Sequence, residues 1–228
     1  MLTARIAGHT FLPSILGPDS VVLDIGANQG QFARALVRDF KCRVHAVEPN
    51  PCLHIGLQEL AISGVTVHGV ALACTRGRRA FVVMNNSEAS HLPSGNGSNE
   101  GTIEVQAVTL EDLISQIPTP ASIDLIKMDI EGAELDVLEH VPAGLLERVR
   151  QLTIEFHQFV YPESRIRIEA VKKRFSNLGF WVVDFSRTNY DVLFVHPAVS
   201  LNLRARALVL FEKYHFRLRR GLSYWLGS

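Results

Sequence analysis

Short apolar runs rich in β-branched residues alternate with segments of helical periodicity along most of this chain, and that alternation constrains the fold more than any other feature. Val21–Ile25 precedes Gln31–Phe40, in which Phe32, Ala33, Leu36, Val37 and Phe40 recur at helical spacing. The rhythm continues with a strand over Arg43–Val47, a helix over about 52–62, strands over 65–71 and 123–128, and a helix near 133–140. A strand over 152–156, a helix over 165–178, and two last strands over 180–185 and Val192–Val195 complete it. Parallel strands need right-handed crossovers that carry the chain back across the sheet, so the pattern predicts an α/β fold: a doubly wound, mostly parallel sheet with helices on both faces. The turn-like Arg187-Thr188-Asn189 between the last two strands predicts a hairpin, and with it an antiparallel last strand.

At 228 residues such a sheet is expected to form one domain, spanning 1–198. A stretch rich in Ser, Asn and Gly over 85–101, between arms at 79–84 and Thr102–Val108, is expected to be a loop insertion acting as a lid. Beyond it, 199–228 reads as a basic amphipathic helical tail: Arg204, Arg206, Lys213, Arg217, Arg219 and Arg220 face one acid, Glu212, among Leu, Phe, Tyr and Trp. Such a tail suits a membrane surface, an acidic carrier or a partner subunit, or folds back on the domain. The 47% hydrophobic content excludes disorder, and a net charge of zero gives no case for nucleic acid as a partner. Cys42, Cys52 and Cys74 form neither a paired framework nor a zinc signature. With no apolar run of bilayer length, a cytoplasmic location is expected.

The first strand-to-helix turn reads Asp24-Ile-Gly26-Ala27-Asn28-Gln-Gly30, and the next strand ends on Glu48-Pro49. Glycines there let the backbone approach a ligand, and an acid ending the second strand suits the two hydroxyls of a ribose. A dinucleotide fingerprint would need glycine where Asn28 and Gln31 stand. Asp24 would repel a pyrophosphate but accept hydrogen bonds from a cationic amino-acid moiety. The nucleoside cofactor that fits is S-adenosylmethionine.

Five phrases in order resemble the FkbM family of methyltransferases, within the class I S-adenosylmethionine-dependent superfamily. They are Leu23 to Gly30, Val47 to Pro51, Val108 to Leu113, Asp124 to Glu134, and Ile154 to His157. The resemblance implies O-methylation of a sugar or natural-product hydroxyl, so the expected partner is a small-molecule or glycan acceptor. It also implies a cofactor held by Asp24, Gly26, Asn28 and Glu48, with Ala27, Gly30 and Pro49 in the same turns and Ala71 flanking the adenine.

Methyl transfer is an in-line displacement, so positioning supplies roughly 7–11 kcal/mol, whereas a general base adds about 10²–10⁴-fold. Asp129 with Glu131, and Glu155 with His157, alternate at the ends of two expected strands and so share a side. His157 is the first expectation for the base, because an ordinary imidazole titrates near neutrality, with Glu155 or Asp129 orienting it or sharing the task. Blander roles stay open: Glu131 as a first-turn helix acid, Asp129 as a cofactor anchor, His157 as a structural histidine, and Lys127 as an ion-pair partner. These side chains could hold a divalent ion, but their spacing matches no ligand signature, and no metal is predicted. The rival functions are a metal-dependent hydrolase on the same sheet and a non-catalytic nucleoside-binding scaffold.

Overall fold

The computed structural model describes residues 1–59, 63–83, 101–118, 122–158 and 160–225, with side chains described to residue 218. The chain opens with a hairpin, β1 (Ala4–Ile6) and β2 (His9–Phe11), turning at Ala7 and Gly8, both at positive φ. Then follow β3 (Val21–Ile25), α1 (Gln31–Phe40), β4 (Arg43–Val47), α2 (Pro51–Glu59) and β5 (Val65–His68). A three-stranded excursion comes next, β6 (Ala71–Leu72), β7 (Gly77–Val82) and β8 (Thr102–Val108), leading into α3 (Leu110–Ser115). The second half holds β9 (Leu125–Met128), α4 (Glu134–His140), α5 (Ala143–Leu146), β10 (Gln151–Ile154), α6 (Arg165–Asn177), β11 (Trp181–Asp184), β12 (Val192–Val195) and α7 (Leu203–Trp225).

Seven of these strands form one sheet in the order β11-β12-β10-β9-β3-β4-β5. β12 alone among them runs antiparallel to its neighbours, β10 and β11. The chain builds outward from β3 in one direction through β4 and β5, then returns to its other side through β9 and β10. That reversal opens a crevice beyond the carboxyl ends of β3, β4, β9 and β10.

β3 is buried along its whole length, as a central parallel strand should be, and its residues sort to opposite faces. Leu23 and Ile25 pack with Leu135, Leu138 and Phe175 from α4 and α6, whereas Val22 packs with Phe32, Ala33 and Leu36 of α1 and Phe11 of the hairpin. Burial of such Leu, Ile and Phe side chains is worth about 1.5–3 kcal/mol each.

Three differences from the sequence expectation have local causes. The strand expected over 65–71 divides: β5 stays in the main sheet, while β6 leaves it to pair with β8. The hairpin β1–β2, not expected at all, is held from far along the chain. Asp191, fully buried, accepts hydrogen bonds from the Thr10 amide (3.0 Å) and hydroxyl (2.6 Å). The Gln151 amide exchanges two more with the backbone of Leu12. α3 starts at a capping box, Thr109 with Asp112, a signal present in the sequence but not read. The segment expected as a lid lies outside the described residues apart from Gly101, as do 60–62 of the helix expected to end there.

Candidate active site

A cavity of about 350 Å³ opens at the carboxyl ends of β3, β4, β9 and β10. Its floor is the turn after β3, where Gly26 (φ 78°) passes so close to β9 that a Cβ would lie 1.8 Å from the Asp129 carbonyl oxygen. Glycine is therefore required here for space as well as for backbone conformation. Ala27 and Asn28 continue the floor, and Asn28 itself adopts φ 49°. One end is closed by Glu48 and Pro49; Val70, Ala71 and Phe81 form an apolar wall. Glu48 is almost fully buried, and its carboxylate accepts hydrogen bonds from the amides of Asn28 and Asn50, each at 2.9 Å. Burial pushes its pKa up, and those two bonds oppose the rise.

Two residues of the expected cofactor set stand behind the cavity rather than on its wall, among the described residues. Gly30 caps α1 at φ 75° and packs beside Leu57. Asp24 is wholly buried, accepting a hydrogen bond from the Ala33 amide and facing the Lys127 ammonium at 3.4 Å. Lys127 also donates to the Gly26 carbonyl at 2.6 Å and lies 3.6 Å from Asp129. Asp24 thus reaches the cavity only through Lys127, which corrects the expectation of a direct contact with a ligand. Lys127 is the ion-pair partner inside the sheet.

The opposite end of the cavity carries Asp129, Glu131 and Glu155. The structure brings these three together with His157, as the alternation of polar positions implied. His157 Nε2 lies 3.0 Å from Glu131, 3.6 Å from Asp129 and 3.9 Å from Glu155, and Nδ1 lies 3.1 Å from Glu134. Glu134 is itself locked by the amides of Ile130 and Gly132. Glu131 stands before α4 rather than in its first turn, at φ 53°, and Gly132 follows at φ 104° with a Tyr161 ring where a Cβ would go.

These neighbours separate the titrations. Burial works against the His157 imidazolium, yet hydrogen bonds to Glu131 and Glu134 outweigh it and push the ring up to about 11. Burial and the adjacent Asp129 charge drive Glu155 up to about 8, and the charges of His157 and Lys127 only partly oppose them. Asp129 is also penalised by burial, but Lys127 and His9 hold it well below the usual carboxylate range. His157 is cationic at neutral pH in this setting and lies off the cavity wall, so the expectation of a histidine base does not match its surroundings. Glu155, which is on the wall, does.

Sequence reasoning missed His9. The hairpin places it, 1% exposed, with Nε2 3.6 Å from Asp129 Oδ2 and its ring edge-on to Phe32. Three side chains, His9, Asp129 and Glu155, have ligand atoms within 4.8 Å of one another, as do Asp129, Glu134 and His157. Lys127 already supplies a cation beside Asp129 in both groups.

Residues 24–183 match the methyltransferase FkbM domain model. Among curated proteins, hexuronic acid methyltransferase AglP of Haloferax volcanii is 28% identical over 154 residues, covering 64% of this chain and 59% of that protein. The 2-O-methyltransferase NoeI of Sinorhizobium fredii is 30% identical over 180 residues, covering 71% and 70%. Among solved structures, SMU.1697c of Streptococcus mutans, in complex with SAH, aligns with TM-score 0.48 at 13% identity, over 80% of this chain and 91% of that one. The domain match, which takes in the cavity lining from Ile25 to Glu155 and leaves out only Ala7 and Tyr190, establishes that this chain belongs to the FkbM family of methyltransferases.

Proposed function

We propose that this chain is an S-adenosylmethionine-dependent O-methyltransferase whose acceptor is a hydroxyl of a sugar or glycosylated small molecule, with Glu155 as the base. The observation that carries the proposal is a cavity with a ribose-type acid at one end, Glu48, and at the other a wall carboxyl poised near neutrality, Glu155. The names of AglP and NoeI, a hexuronic acid methyltransferase and a 2-O-methyltransferase, support oxygen on a sugar as the target.

The cavity residues suit the cofactor in shape and charge. The turn over Gly26 leaves backbone accessible, Glu48 would take the ribose hydroxyls, and Val70, Ala71 and Phe81 offer an apolar wall for adenine. On the cavity wall Glu48, Asp129 and Glu131 outnumber Lys127, so the site complements a ligand with positive centres. Asp129, kept ionised beside Lys127, would hold the amino-acid ammonium. When bound, S-adenosylmethionine supplies an electrophilic methyl group on a sulfonium.

The chain's own work is then to place the acceptor and take its proton. Glu155 accepts the hydroxyl proton as the oxygen attacks, and a carboxyl titrating near the working pH is the effective form of such a base. His157, clamped between Glu131 and Glu134, fixes the turn that presents Asp129 and Glu131. A labelled methyl-transfer assay over sugars, glycosides and glycolipids, with and without chelator, tests the reading. The expected result is transfer to a hydroxyl that persists in chelator, because Lys127 occupies the cation position beside Asp129. Transfer confined to nitrogen or carbon acceptors, or abolished by Glu48→Ala without loss of cofactor affinity, would overturn it.

A further inference from the structure

Among the described side chains, α7 is fastened to the domain along one side. Val209 is fully buried, and Glu212 accepts hydrogen bonds from the backbone amides of Leu2 (2.7 Å) and Thr3 (2.9 Å). Arg217 donates to the carbonyls of Asp184 and Ser186, and Arg5 stacks 4.0 Å over the Phe216 ring. On the far side the helix carries a continuous apolar stripe that nothing in the described chain covers. Leu203, Phe211, Tyr214 and Leu218 are 86%, 66%, 59% and 67% exposed, at the spacing of one helical face, and Leu210 adjoins them.

Charge indicates what should meet that face. Six basic residues, Arg204, Arg206, Lys213, Arg217, Arg219 and Arg220, fall within the helix, against one acid, Glu212, which is already spent on the N-terminal backbone. Because the whole chain is neutral, the remainder is net negative and the excess of positive charge is concentrated on this element. A second copy of the same helix would set like charges against each other. No helix among the described residues is long and apolar enough to cross a membrane, so spanning is not available to α7. An apolar stripe on a helix with an excess of basic residues, held flat against a domain, is the pattern of an interfacial helix.

We propose that the outward face of α7 docks the protein on an anionic lipid surface, with Phe211, Tyr214 and Leu218 in the headgroup–acyl boundary and Arg204 and Lys213 reaching the phosphates. The full chain is to be co-sedimented with phosphatidylcholine–phosphatidylglycerol vesicles and with phosphatidylcholine vesicles. The comparison variants are Phe211→Ser with Leu218→Ser, and Arg204→Glu. Binding to the anionic vesicles that weakens with salt is expected, about tenfold weaker on neutral ones. The double variant should lose about a hundredfold in partitioning, with its unfolding midpoint unchanged because both side chains are exposed. Arg204→Glu should show an intermediate loss. Equal binding by the double variant, equal binding to neutral vesicles, or no vesicle binding would each overturn the proposal. So would a dimer in sedimentation velocity that the double variant dissolves, which would assign the face to a second copy.

Discussion

Replacing Glu155 by Gln keeps the size of the side chain and removes a cavity carboxyl whose surroundings hold it near neutrality. Its pKa rises from the ordinary 4.5 to about 8, first through burial and then through the Asp129 charge. At about 1.4 kcal/mol for each pH unit, that difference corresponds to roughly 4–5 kcal/mol of preference for the protonated form in the folded state. Two consequences of opposite sign follow. The wild-type kcat/KM should climb as pH rises through about 8, where the base becomes ionised. Stability should move the other way: between 4.5 and about 8 the native state retains a proton that the unfolded chain has released, so stability falls with rising pH and levels off above that window. Glu155→Gln should therefore lose about 10²–10⁴-fold in kcat, lose the rise near pH 8, and unfold at a higher temperature than wild type in alkaline buffer. Steady-state profiles and thermal melts from about pH 6 to about pH 9 measure all three effects. A variant with near-wild-type kcat, or a wild-type profile flat through that range, would refute the assignment of the proton acceptor.

Gly26→Ala puts a methyl group 1.8 Å from the Asp129 carbonyl oxygen at a residue with φ 78°. A loss of about 3 kcal/mol or more in stability is expected, with cofactor affinity falling in calorimetry; an unchanged melt would count against the close approach. Asp191→Ala strips the Thr10 amide and hydroxyl of their partner, at about 1–3 kcal/mol for each group left unsatisfied. Hydrogen exchange should then quicken across β1 and β2 before it does in β3, and unchanged protection there would show that other contacts hold the hairpin.

What the sequence conveyed and what it withheld divide along a physical line. α1, β4, β8 and β12 fall on the expected residues because each is specified locally, by a change of period between strand and helix or by the turn residues that flank it. The convergence of Asp129, Glu131, Glu155 and His157 was legible for a similar reason, since alternation at a strand end fixes a side. Which of them holds a proton was not, because that depends on Glu134 gripping His157 and on how deeply each carboxyl is buried. Asp24 misled for the same reason: its place near the end of β3 suggested an open contact, whereas Lys127 from the neighbouring strand covers it. The hairpin that delivers His9 has three-residue strands and no pattern of its own. Its position comes from Asp191 and Gln151, each well over a hundred residues away along the chain.

The departure of β6 from the central sheet has a practical corollary. Among the described residues the strands β6, β7 and β8 pair only with one another, yet Ala71 and Phe81 still form part of the cavity wall. The excursion is therefore an exchangeable cassette: a chimera that takes this block from a relative would reshape one wall of the cavity while β3, β4, β9 and β10 keep their register. Such a graft has to keep Leu72, which is buried in the main core, and it reads out the wall assigned to adenine rather than the acceptor end of the cavity.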